Sequence, residues 1–274
     1  MIEILDPGPL TTIQDGGRDG YAHLGVPRSG AFDVAALHAA NRLVGNVDAA
    51  PALEITFGGL VLRAIDAVTV ALGGAPCPGL DALVPITLAA GTTVRLGRPT
   101  HGLRSYLAVH GGVDVAPVLG SRSTDTLSGL GPAPLAAGDV LAVAGTDSLI
   151  VADTVAAMRR ADDARPLPIM FGPRDDWFVD PGALVTTSWT VRPDSNRIGI
   201  RLDGPPLQRS VAGELPSEAL LPGAIQVPPD GRPILLGPDA PVTGGYPVIA
   251  VVGRTDLDRA AQLRPGDVVR FAQR

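Results

Sequence analysis

The chain contains no lysine: all 22 of its basic residues are arginine. That excludes a Schiff base to a substrate carbonyl, a Walker A phosphate loop and covalent attachment of biotin, each of which needs a lysine amine. Cysteine is almost as scarce. Cys77 alone permits no internal disulfide, no CxxC pair and no cysteine metal cluster. Flanked by Pro76 and Pro78, it reads as a small buried hydrophobe. No run approaches the roughly 18 apolar residues that span a bilayer, and no basic-then-apolar leader opens the chain, so a cytoplasmic protein without membrane contact is expected. A formal charge of −6 leaves no basic footprint for nucleic acid.

What is present is apolar and turn-rich. Hydrophobic residues make up 45% and charged residues 18%, enough apolar content to offset chain entropy in a globular protein. The 34 glycines and 27 prolines are scattered between short Val/Ile/Leu runs, which favours many short strands joined by frequent turns. "AFDVAALHAANRLVG" predicts a helix over about 32–44, closed by Gly45. "LEITF" alternates Leu53, Ile55 and Phe57 against Glu54 and Thr56, predicting a half-buried strand with Glu54 facing away from the core. Further strands are expected at about 67–72, 93–97, 104–109, 139–143, 189–192, 224–227, 232–236 and 246–252. "LAAGTTVRL" (88–96), "LAAGDVLAV" (135–143) and "LRPGDVVRF" (263–271) form a weak internal repeat, each a glycine turn entering a strand. At 274 residues two domains are expected. The charged, proline-punctuated passage within 151–168 is the best boundary, giving domains 1–160 and 161–274.

Standard catalytic constellations are missing. There is no GxSxG, HExxH, EF-hand loop or GxGxxG, and His23, His38, His101 and His110 lack metal-ligand spacing, so no metal is expected. "VHGG" (109–112) reads as a strand end with a glycine turn rather than an oxyanion hole. Polar capacity collects elsewhere. "TTIQDGGRDGYAHLGVPRSGAFD" (11–33) spaces Gln14, Asp15, Arg18 and Ser29 by glycines, and "LGSRSTDT" (119–126) gathers Ser121, Arg122, Ser123 and Asp125 in one loop. A guanidinium beside hydroxyls suits a carboxylate or phosphate; a capped turn explains the second loop equally well. "PDSNRIGIRL" (193–202) offers Arg197, and in "VTGGYP" (242–247) Thr243, Gly244, Gly245 and Tyr246 allow either close backbone approach of a ligand or a tight turn.

Taken in order, "GPLTTIQDGGRDGYAHLGVPRSGAFD", "ANRLVGN", "LEITFGG", "LGSRSTD", "SNRIGIRL", "GAIQVPPDGRPILL" and "TGGYPVIA" resemble the biotin-dependent carboxyltransferase-like family, over about residues 3 to 271. This family includes the C component of 5-oxoprolinase, also called KipA or the second component of allophanate hydrolase. The resemblance implies a mainly β fold of two cyclophilin-like β-barrel subdomains with few short helices. It implies one component of an ATP-dependent 5-oxoprolinase complex that converts 5-oxo-L-proline to L-glutamate, a hydrolase acting on a cyclic amide. Its expected partners are the A component and a KipI-like B component, the latter in a heterotetramer, with ATP bound by the complex and no biotin on this chain. Two alternatives stay open: carboxyl transfer from carboxybiotin on another chain to urea or a related amide, and a non-catalytic KipI-binding regulator.

Position by position, the resemblance points to Asp15, Glu54 and Asp125 for proton handling. It assigns Gln14, Arg18, Ser121, Arg122, Ser123, Arg197, Gln226, Thr243, Gly244, Gly245 and Tyr246 to substrate or anion binding. Ser29, Asp33, Asn46 and Asp239 also match recurring polar positions without an assigned role. Two departures are visible: "SGAFD" where the family has SGAMD, and "PVTGGYP" where it has QTTGGYP, which removes a Gln and a Thr hydroxyl at Pro241 and Val242.

Overall fold

The computed structural model describes residues 1–146, 148, 150, 165–213 and 215–274. Most of the predicted boundary segment 151–168 therefore lies outside the described residues. Two compact units are formed, and the division is not a single cut. Met1–Arg18, Asp33–Asp125 and the described residues of Gly129–Asp162 make the first; Asp19–Phe32, Thr126–Ser128 and the described residues of Asp163–Arg274 make the second. The protein is mainly β.

The first unit holds β1 (Ile2–Asp6), β2 (Leu10–Gln14), α1 (Val34–Leu43), β3 (Ala52–Thr56), β4 (Val61–Ala64) and β5 (Val68–Gly74). It continues with β6 (Ile86–Leu88), β7 (Thr93–Arg95), β8 (Arg104–Val109), β9 (Val113–Asp114) and β10 (Val140–Val143). Two five-stranded sheets result, ordered β7-β4-β1-β10-β9 and β2-β3-β8-β5-β6. One core contains side chains of both, among them Ile2, Ile4, Leu62 and Leu141 from the first sheet and Ile13, Leu53, Ile55, Val70 and Leu107 from the second. Each such fully buried Ile or Leu contributes about 1.5–3 kcal/mol.

The helix starts where Asp33 caps it, its carboxylate accepting from Ala36 N at 2.9 Å, and it ends ahead of Gly45 in a left-handed conformation. It packs on the outer face of the second sheet: a side chain at Gly73 would strike Ala36 O at 2.7 Å and Ala40 Cβ at 3.1 Å. This corrects the expectation for Glu54. The alternation does turn Glu54 to the opposite face from Leu53 and Ile55, but α1 covers that face, and Glu54 is buried at 1% exposure. The opening polar stretch also begins as a strand, β2, because Thr12 and Gln14 point into the same helix-covered layer and are buried.

The second unit holds β11 (Leu167–Phe171), α2 (Ala183–Thr186), β12 (Trp189–Val191), β13 (Gly199–Asp203), β14 (Glu218–Ala219) and β15 (Ala224–Gln226). After these come β16 (Ile234–Leu236), β17 (Thr243–Gly244), β18 (Val248–Val252), α3 (Arg254–Ala260), β19 (Val268–Val269) and β20 (Phe271–Gln273). Its main sheet runs β19-β12-β13-β16-β15-β18-β11-β20, while β14 and β17 pair separately. The two edge strands, β19 and β20, are consecutive in the chain with only Arg270 between them, so the sheet returns to itself as a nearly closed barrel. Trp189 fills its core without leaving a polar orphan, since its indole N–H donates to Leu184 O at 3.0 Å.

The internal repeat is structural. Gly91, Gly138 and Gly266 have φ of 83°, 92° and 90°, and their N–H groups donate to Ala64, Ile4 and Val191 carbonyls respectively. Each turn feeds a strand: β7, β10 and β19. In the second and third copies the following aspartate closes the turn, Asp139 accepting from Ala136 N and Asp267 from Arg264 N. The same device thus builds both units. "VHGG" is a glycine turn between β8 and β9, clamped by Asn46, which donates to Val109 O and accepts from Gly111 N.

Candidate functional site

In the first unit the two polar loops read from the sequence converge. Asp15 is the hub. Its Oδ1 accepts from Gly17 N at 2.8 Å and Ser121 Oγ at 2.7 Å and from Ser123 Oγ, while its Oδ2 accepts from Arg122 N at 2.6 Å. Four donors on one carboxylate fix residues 121–123 against residues 15–17. The 123–124 segment also runs beside β2, because Thr124 N donates to Ile13 O and Gln14 Nε2 donates to Thr124 O.

Arg18 enters this junction. It is 2% exposed, and its Nη2 donates to Ser123 O at 2.5 Å. Gly131 makes room for it: a side chain there would meet Ser123 O at 2.0 Å and Arg18 Nη2 at 3.1 Å. Asp125 is buried nearby in sequence, its backbone closing a loop through Leu130 O and Gly129 N. Arg122 is half-buried and turns its Nε to Val115 O at 2.7 Å.

Glu54 belongs to the helix-covered layer of the same unit, directly across from Thr12, which in turn accepts from Gln14 Nε2 at 3.0 Å. Its Oε2 accepts from the Tyr106 hydroxyl at 2.7 Å, and Arg104 Nε lies 3.5 Å from its Oε1. The Tyr106 oxygen also accepts from Asp33 N at 2.8 Å. Burial, then the negative charges of Glu54 and Asp33, push the Tyr106 phenol well above its ordinary value, so it stays a hydroxyl donor.

In the second unit Arg197 has a different fate. It is 1% exposed and forms a two-pronged pair with Asp239, Nε to Oδ2 and Nη2 to Oδ1, both at 2.8 Å. Asp239 also accepts from Ser29 Oγ at 2.8 Å, Thr126 N at 3.0 Å and Thr126 Oγ1 at 2.7 Å, and Arg197 Nη2 donates to Gly30 O. Burial alone would raise the Asp239 carboxyl, but the Arg197 charge and the hydrogen bonds from Arg197 and Thr126 outweigh it and hold it below its ordinary value. This brace fastens residues 29–30 and 126 to the loop that ends at Asp239.

Gln226, Gly244 and Tyr246 also meet. Gln226 Nε2 donates to Tyr246 O at 3.0 Å, and a side chain at Gly244 would lie 3.0 Å from that nitrogen and 2.7 Å from Leu220 Cδ1. Thr243 and Tyr246 are both exposed. The expected residues thus gather into one cluster in the first unit, Gln14 to Arg18 with Ser121 to Asp125 and Glu54 a strand away, and two in the second, around Arg197 and around Gln226.

The partners that sequence reading missed are Thr12, Tyr106, Arg104, Gly131, Gly30 and Thr126. Most act through backbone atoms or lie on a sheet face whose cover is remote in sequence; the polar character of Thr12 within an alternating strand was the one available signal. Among the described residues no group of three or more His, Cys, Asp or Glu side chains is placed to hold a metal ion. No helix among them is long and apolar enough to cross a membrane.

Residues 24–273 match the family described as carboxyltransferase domain, subdomain A and B. The chain is 42% identical over 286 aligned positions to the C component of 5-oxoprolinase from Escherichia coli K12, covering 100% of this chain and 91% of that protein. It is 34% identical to urea amidolyase of Saccharomyces cerevisiae, covering 98% of this chain but only 16% of that protein. Among solved structures, TTHA0988 superposes with a TM-score of 0.88 at 35% identity, over 99% of this chain and 56% of that one. The Kluyveromyces lactis urea amidolyase does so with a TM-score of 0.88 at 30% identity, over 99% of this chain and 18% of that one.

Proposed function

Because the chain belongs to this carboxyltransferase-domain family, we propose that it serves as the C component of an ATP-dependent 5-oxoprolinase that opens 5-oxo-L-proline to L-glutamate. The observation that carries this reading is the 42% identity to the Escherichia coli protein over essentially both whole lengths. The name of that relative implies companion polypeptides, and we assign them as the A component and a KipI-like B component, the latter pairing with this chain. A lactam resists direct hydrolysis because its carbonyl carbon is deactivated by the amide nitrogen. Transfer of a phosphoryl group from ATP to the lactam oxygen leaves ADP and makes the carbonyl carbon electrophilic; water adds there, the ring C–N bond breaks with the nitrogen leaving as the amine, and a second water hydrolyses the resulting acyl phosphate to L-glutamate and phosphate. ATP enters as co-substrate of the complex.

The roles proposed for this chain follow from the partners each side chain already has. Asp15, saturated by four donors, holds the Ser121–Ser123 loop in place; it is a positioning residue. Glu54 is held by the Tyr106 hydroxyl and faces Arg104, and it keeps the helix-covered layer in register beneath Gln14. Arg197, committed to Asp239, braces the second unit. Arg18 and Gln14 remain to meet substrate, with the Thr243 to Tyr246 loop as a further polar surface for substrate or partner.

Reconstitution tests the reading. The chain with the products of adjacent genes is expected to form glutamate from 5-oxo-L-proline only when ATP is present, and the chain alone to form none. A second reading, carboxyl transfer to urea, is favoured by the 34% identity to urea amidolyase. Carboxylation of urea by this chain with a carboxybiotin-bearing partner, and no ATP-dependent glutamate formation, would replace the first reading by the second.

A further inference from the structure

Carboxylates are supplied to the arginines of this chain where they matter least. Arg28, Arg42, Arg63, Arg174 and Arg192 each meet an Asp or Glu although water still reaches all five, and exposed pairs of that kind add little stability. Arg18 is 2% exposed, where a counter-ion matters most, and among the described residues no carboxylate pairs with it. Its Nη2 donates to Ser123 O at 2.5 Å, while Nε and Nη1 have no acceptor. Asp15, three positions earlier, is taken up by Gly17, Ser121, Arg122 and Ser123.

An enclosed water satisfies idle N–H groups but leaves the charge uncompensated; an anion answers both. With one Nη2 hydrogen on Ser123 O, the other stays beside either Nε or Nη1. One edge of the guanidinium therefore still offers two parallel N–H groups, the arrangement that matches two oxygens of a carboxylate or a phosphate. The surface is close by. A side chain at Gly131 would lie 3.1 Å from Arg18 Nη2, and residues 131–134 are partly or fully exposed and belong to no helix or strand. The chain is fastened on either side of them, by Asp125 N on Leu130 O and by Leu135 N on Thr11 O.

We infer that Arg18 anchors an oxyanion site, reached by displacement of residues 131–134, whose ligand is a small molecule bearing a carboxylate or a phosphate. The two candidate sources rest on the function proposed above: the carboxylate of 5-oxo-L-proline, or a phosphate of ATP. The site itself rests on Arg18 alone.

The test follows arginine Nε–H signals of the nitrogen-15-labelled full chain by nuclear magnetic resonance. The Arg18 signal is the one missing from Arg18→Met and from Arg18→Lys, and the second variant carries the assignment if the first does not fold. That signal is expected to move saturably with an oxyanion and to stay in place with 2-pyrrolidinone, a neutral lactam. Movement with 5-oxo-L-proline and acetate assigns the site to the substrate carboxylate; movement with inorganic phosphate assigns it to the nucleotide. Calorimetric titration with the active anion is expected to show binding roughly tenfold or more weaker in Arg18→Met, and a smaller loss in Arg18→Lys, which keeps the charge. Thermal melting checks that both variants are folded. A signal unmoved by all three anions overturns the site, leaving an enclosed water only. Equal movement with 2-pyrrolidinone, or unchanged affinity in folded Arg18→Met, overturns it as well. Reconstitution judges the function separately: glutamate formation with an unmoved Arg18 signal removes the site and keeps the function, and a moved signal without glutamate formation does the reverse.

Discussion

Two arginines are equally hidden and oppositely treated. Arg197 in the second unit meets Asp239 through two parallel hydrogen bonds, and that carboxylate is further held by Ser29 and Thr126. Arg18 in the first unit has one carbonyl and two nitrogens without an acceptor. A charge removed from water is tolerated when its partners are built in, as at Arg197; where they are withheld, the gap is either a flaw or a place for something that arrives later. The contrast separates a paired arginine from one with unused hydrogen-bonding capacity, although both sequences are simply an arginine in a polar loop.

The comparison breaks first at Asp239. Asp239→Asn leaves Arg197 with an uncompensated buried charge, and urea denaturation is expected to show a loss of about 3–5 kcal/mol. The same pair gives a pH dependence. Asp239 has a folded value below its ordinary 3.8, so its contribution is fully present above that value and is lost as pH falls through the lowered one. Acid unfolding monitored by circular dichroism below pH 3.8 should therefore steepen in the wild type and flatten in Asp239→Asn. Tyr106→Phe is a smaller perturbation. It strips a donor from Glu54 and an acceptor from Asp33 N in a dry layer, at an expected cost of about 1–3 kcal/mol in the same denaturation assay. Arg18→Met should move stability least, within about 1 kcal/mol, because one lost hydrogen bond is offset by relief of a desolvated charge. A loss as large as that of Asp239→Asn would erase the distinction between the two arginines.

Much of the architecture was legible. The expected positions of β3, β5, β8 and β18 fell within about two residues of the strands, and Gly45 marked the end of the helix because capping chemistry is local, whereas the Asp33 cap at its start went unread. The glycine turns of the repeat were readable for the same reason. Glu54 was misread because a polar strand face looks alike whether water or a helix covers it, and nothing in the strand itself says which. The convergence of residues 14–18 with 121–125 was suggested only by the concentration of polar groups. Its geometry was not, since Arg18 reaches across 105 positions to a backbone carbonyl that any residue at 123 would supply. The commitment of Arg197 was equally hidden, its partner lying 42 positions away.

The chain passes back and forth between its units, lending residues 19–32 and 126–128 to the second before returning. A fragment starting near residue 161 would therefore be born without Phe32 in its core and without Ser29 and Thr126 on Asp239. The second unit cannot be excised by a single cut near residue 161; a piece that keeps its core and the Asp239 brace has to carry residues 19–32 and 126–128 as well.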